Sequence, residues 1–97
     1  MITLTAKEVT YFSQGDEEAF FAWLNRIGAV SGARGVGNEL LITIKDATIS
    51  DPDLRELIGL FHRYNIEKKQ LGQFVTEKNS SWFRDNLRAF WHSEIFG

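Results

Sequence analysis

Apolar residues in this chain recur with a helical period in three stretches and cluster as β-type runs in two others. The first helical stretch opens after Ser13 and Gly15 with Asp16-Glu17-Glu18, three carboxylates suited to the positive end of a helix dipole. At 100° per residue, Phe20, Phe21, Trp23, Leu24 and Ile27 share one arc, and Glu18, Ala22, Asn25 and Arg26 lie outside it. The pattern predicts an amphipathic helix over about 16–27, with Gly28 as its left-handed stop. A second helix over about 52–64 is better marked still. Ser50 or Asp51 can cap it, Pro52 occupies its first turn, and Leu54, Leu57, Ile58, Phe61 and Tyr64 form its stripe, with Leu60 at the margin. Asn65 supplies a left-handed exit. A short helix is expected over about 67–74. After a polar break at Thr76-Glu77-Lys78-Asn79, a third long helix is expected over about 80–95, with Phe83, Leu87, Phe90 and Trp91 as its stripe.

Between the first two helices the character changes. Residues 29–36 are small and β-tolerant, Gly37-Asn38 is a turn dipeptide, and Leu40-Leu41-Ile42-Thr43-Ile44 reads as a strand. A two-residue turn there sets Ala33 opposite Ile42, Gly35 opposite Leu40 and Ser31 opposite Ile44. Small side chains then face bulky ones and leave room for an aromatic helix above them. The same glycines could suggest a phosphate loop. No Gly-Lys-Ser/Thr follows, however, and the segment feeds a strand rather than a helix, so the hairpin (about 29–45) is preferred. Ile2-Thr3-Leu4-Thr5 and Glu8-Val9-Thr10-Tyr11-Phe12 add one or two N-terminal strands. The expected fold is α+β: a small antiparallel sheet covered by three main helices and a short one.

Length and charge narrow the classes. Ninety-seven residues with 43% hydrophobic content support one domain, 1–97, with a single core. The chain has no Cys, which removes disulfides and thiolate zinc sites and fits a reducing, cytoplasmic setting. No apolar run is long enough for a membrane span, and the first residues lack the layout of a secretory signal. A net charge of −2 argues against nucleic acid as the partner.

Few residues suggest bond-making chemistry. His62 borders the apolar stripe of its helix beside Ile58 and reads as a boundary residue. His92 and Glu94 stand two apart, so on a helix they point to different sides and cannot chelate together. Asp51 and Asp53 read as capping residues, and Lys68-Lys69 and Arg84 with Arg88 as solvated helix faces. No catalytic, cofactor or metal residues are expected. Asp16, Glu17 and Glu18 form either a solvated helix start or an acidic patch that meets a basic partner. The chain is rich in aromatics, with eight Phe, two Tyr and three Trp. Most fall on the stripes. Trp82, however, lies opposite Trp91 on a straight helix, and Phe96 shares its azimuth. Either the 66–75 segment covers this second side, or Trp82 and Phe96 serve a partner.

Taken together, Asp16-Glu17-Glu18-Ala19-Phe20-Phe21 with Trp23-Leu24, the hairpin, and Asp53-Leu54-Arg55-Glu56-Leu57-Ile58 with Leu60-Phe61, Arg63-Tyr64 and Ile66 form a recognisable pattern. Gln70-Leu71, Phe74, Asn79, Trp82-Phe83, Trp91 and Ile95-Phe96-Gly97 extend it to nearly the whole chain. It resembles a group of small bacterial cytoplasmic proteins, some of which look like immunity proteins. The resemblance implies a non-enzymatic role, binding and blocking a protein partner such as a toxin; the carboxylates suit a basic toxin domain, and the net charge and lack of an apolar span disfavour nucleic acid and membrane. It rests on core and cap residues and carries over no site. The alternative is a small-molecule-binding or enzymatic domain with a pocket between sheet and helices.

Overall fold

The computed structural model describes all 97 residues. Its sheet has three antiparallel strands, β1 (Ile2–Lys7), β2 (Val30–Val36) and β3 (Glu39–Ile44), in the order β1-β3-β2. Alternation along β1 and β3 sends Leu4, Ala6, Ile42 and Ile44 into the core. The opposite face carries Thr3, Thr5, Lys7, Leu41, Thr43 and Arg34, none of them buried. The first dozen residues give one strand, not two. Glu8 adopts φ 51°, which ends β1, and Val9 and Tyr11 pack on the core from an irregular connector.

The hairpin closes at Gly37-Asn38, where Gly37 has φ 62°. Ala33 faces Ile42 and Gly35 faces Leu40 as the pattern predicts. Ser31 does not face Ile44. The register shifts between Val30 and Gly32, so Val30 takes that place and Ser31 becomes the extra residue of a bulge, its hydroxyl reaching the Thr43 carbonyl at 3.3 Å.

Helix α1 (Gln14–Arg26) is capped by Ser13, whose hydroxyl accepts the Asp16 N–H at 3.1 Å. It buries Phe20 and Leu24, with Phe21 and Trp23 partly covered. Its end differs from expectation. Gly28 is not left-handed; the helix stops because Ile27 turns extended (φ −79°, ψ 113°) and puts its side chain into the core. Helix α2 (Asp51–Arg63) follows its pattern closely, with Ser50 as cap, Pro52 in the first turn and Asn65 at φ 56° beyond the exit. The Trp23 indole donates to Glu56 at 2.9 Å and ties α1 to α2.

The C-terminal third departs most. The short helix is a 3₁₀ segment, Lys69–Phe74. The long helix expected over 80–95 is two short ones, α3 (Ser80–Phe83) and α4 (His92–Phe96), joined by turns. The Asp85 N–H returns to the Ser80 carbonyl at 2.8 Å, Asn86 accepts from the Arg88 N–H, and His92 Nε2 lies 2.8 Å from the Arg84 carbonyl. Short polar side chains that bond the local backbone favour such a break. Packing supplies the reason for it: a straight helix would hold Trp82 and Trp91 on opposite sides, whereas the break brings their rings to 6.3 Å. As a result Leu87 and Phe90 leave the predicted stripe and stand 76% and 56% exposed. No helix in the fold is long and apolar enough to cross a membrane.

Candidate functional site: an open sheet edge beside an acidic groove

A three-stranded sheet has two edges, and this one treats them differently. On β1, the Gln70 side chain accepts the Thr5 N–H and donates to the Thr5 carbonyl, both at 2.9 Å. The carboxamide thus stands in for a neighbouring strand at the middle of β1. Replacing Gln70 with alanine should cost about 1 kcal/mol. Hydrogen exchange should report it as faster exchange of the Thr5 amide.

The Gln70 bonds also fix which way the other strands point. Because both backbone groups of Thr5 face outward, its cross-strand partner Leu41 directs its own toward β2. Arg34, paired with Leu41, therefore bonds inward, and the N–H and C=O groups of its neighbours Ala33 and Gly35 face out. Nothing covers them. Ser31, Ala33, Arg34, Gly35 and Val36 are all exposed, and a Cβ built on Gly32 would meet no atom within 4 Å. Natural edges are blunted by Lys, Pro or inward charges. The stretch Gly32–Val36 has a single Arg on its outer face, and the bulge sits beyond its far end.

Beside this edge lies a groove of about 390 Å³, between the turn end of the hairpin and the first turns of α1. Phe21, Leu40, Val9 and Tyr11 supply its apolar wall, Gly35 its rim, and Glu8 and Glu17 its charge; Glu39 borders it through its backbone and pairs across the strands with Lys7 on the opposite face. No Lys, Arg or His lines it. Burial and the Glu17 carboxylate push the Tyr11 phenol above its ordinary pKa.

The five residues singled out from the sequence fall into two places. Asp16 serves the fold: one carboxylate oxygen accepts the Phe12 N–H and the other the Tyr64 hydroxyl, each at 3.0 Å. Glu17 lines the acidic groove, and Glu18 sits exposed on α1, where the Gln14 amide donates to it at 3.4 Å. Trp82 and Phe96 come together on either side of Phe83, at ring distances of 5.4 and 5.0 Å. Both are half-buried. Arg55 lies 4.0 Å over the Trp82 ring, and Phe96 packs beside Gly72 of the 3₁₀ segment. The bareness of β2 has no signature in the sequence. Lys68, expected on a solvated helix face, is instead buried, because Glu94 of α4 pairs with its ammonium at 3.2 Å.

A larger cleft of about 500 Å³ lies between the end of β1 and the end of α2, lined by Lys7, Glu8, Thr10, Phe12, Asp16, Arg63, Tyr64 and Asn65. Burial, then the bond to Asp16, raises the Tyr64 pKa, and the hydroxyl is committed as donor to Asp16. Neither histidine reaches this cleft. His62 stands 4.0 Å from Glu94 with its ring tilted against that of Phe90 at 4.5 Å, while His92 is held at Arg84. No group of three or more His, Cys, Asp or Glu is placed to hold a metal ion.

No family model matches the chain, and no curated protein or solved structure is significantly similar to it.

Proposed function

We propose that the chain is a non-catalytic protein-interaction domain of the bacterial cytoplasm that binds and occludes a protein partner, as an immunity-type inhibitor does. The observation that supports this reading is the asymmetry of the sheet: one edge is plugged by Gln70, and the other offers the outward groups of Ala33 and Gly35 to a further strand. Strand addition takes its affinity from main-chain hydrogen bonds and its selectivity from pockets for alternate side chains. The groove at Gly35 is such a pocket.

Ala33→Pro provides the test. Its lost N–H faces solvent in the free protein, a position where proline is tolerated on an edge strand, so the fold should keep its melting temperature. Peptides selected from a display library for binding to the wild-type chain should bind Ala33→Pro about tenfold more weakly or worse. Selected peptides that bind both forms equally would overturn the reading.

A second reading, a small-molecule-binding domain, is favoured by the larger cleft. Lys7 and Arg63 stand there without ion-pair partners, and both non-glycine residues of positive φ, Glu8 and Asn65, line it. Calorimetric titration with small carboxylates and phosphates should then show binding that is lost in Arg63→Ala. Absence of heat with both anion classes would remove this reading.

A further inference from the structure

We infer that the strand this edge accepts is basic on the side that faces α1: an extended partner segment presenting Lys or Arg, with an apolar side chain two residues away. The inference rests on the protein-interaction reading and adds the chemistry of the partner. In an added strand, residues i and i+2 point to the same face of the sheet. Those on the inner face, next to Gly35, lean toward the groove between the hairpin turn and α1. Gly35 has no side chain and Ala33 only a methyl, so the edge itself does not block entry.

Inside the groove the chemistry has one sign. Glu8 and Glu17 line it, no cation does, and neither is in an ion pair. The Asn38 amide donates to Glu8 at 2.9 Å, which holds that carboxylate in place without neutralising it. Apolar wall and unpaired carboxylates together match a basic side chain alternating with an apolar one, and they repel an acidic strand.

A second copy of this chain fits less well. Antiparallel pairing of β2 with itself must match the outward residues Ala33 and Gly35. The arrangement that sets Ala33 against Gly35 places Arg34 opposite Arg34, and like charges directly opposite are unfavourable. Every arrangement also leaves two acidic grooves without a cation.

The experiment compares two seven-residue peptides by fluorescence anisotropy. One alternates threonine with lysine, valine and lysine on one face; the other has glutamate in place of each lysine. The basic peptide should bind the wild-type protein at least about tenfold tighter, with the difference shrinking as salt rises. Glu17→Gln should reduce that preference several-fold. Binding should be lost in Ala33→Pro and also when alternate backbone nitrogens of the peptide are methylated, which leaves the protein unchanged. Equal binding of both peptides, sensitive to Ala33→Pro, would overturn the basic preference and leave the sheet-edge reading intact. Failure of both peptides to bind would overturn both. Basic-peptide binding that survives Ala33→Pro and methylation would also overturn the inference, by assigning the attraction to surface charge alone. Concentration-dependent self-association abolished by Ala33→Pro would overturn it in favour of a second copy.

Discussion

Phe61→Ala should lower the free energy of unfolding by about 3–5 kcal/mol. Phe61 is fully buried on α2, within a single core cluster that includes residues from the sheet, α1 and the C-terminal segment. Its removal takes away apolar area and leaves a cavity that the flanking helices cannot close freely. A domain of this length has roughly 5–15 kcal/mol in all, so the variant should be close to its limit at 37 °C. Urea unfolding checks this. The midpoint should fall sharply with the slope unchanged, and Phe61→Leu should lose only about 1–1.5 kcal/mol. A loss below about 1 kcal/mol for the alanine variant would remove Phe61 from the core.

Asn79→Ala should cost nearly as much, about 2–4 kcal/mol, through hydrogen bonds rather than volume. Asn79 is 2% exposed, and its side chain closes the turn before α3: Oδ1 accepts the Thr76 N–H at 2.7 Å and Nδ2 donates to the Phe74 carbonyl at 2.9 Å. Alanine leaves both backbone groups in place without these partners. Asn79→Asp separates this role from packing. It keeps the acceptor and sets a carboxylate oxygen against the Phe74 carbonyl, so it should be strongly destabilising at pH 7. Once protonated, the acid can donate again, and the penalty relative to wild type should shrink as the pH falls toward 4. A penalty independent of pH would show that the bond to Phe74 contributes little.

At high pH the two tyrosines set a limit of their own. Tyr11 and Tyr64 both have raised folded-state pKa values, chiefly through burial. Above the ordinary tyrosine pKa near 10 the unfolded chain ionises first. Stability should therefore be intact below that pH and decline as it rises.

The parts of this fold that were legible in the sequence are those where local chemistry and packing agree. Ser50, Pro52 and Asn65 bracket α2 as their types dictate, and the Gly37-Asn38 turn sets the register of Ala33 and Gly35. The bulge at Ser31 left no mark, because one extra small residue changes no local propensity. The break between α3 and α4 was signalled only indirectly, by apolar groups on two sides of one helix. Its cause is tertiary: Trp82, Phe83, Trp91 and Ile95 all have to reach the same core. Glu17 stands out in the sequence by its charge, but its neighbours in the groove come from the end of β1, the connector after it and the hairpin, too far apart in sequence to be read as a set. Trp82 and Phe96 share an azimuth on a straight helix, but in the fold they are joined through Phe83, by a different backbone path.

The Gln70 plug at Thr5 has a consequence for assembly. Fibre growth by stacking sheets side to side needs a free margin at both ends of every subunit. Here one margin is sealed at its centre by the molecule's own side chain, so two copies joined through β2 would expose only plugged margins and the ladder would end there. A protein built this way can present bare backbone for recognition with little risk of polymerising.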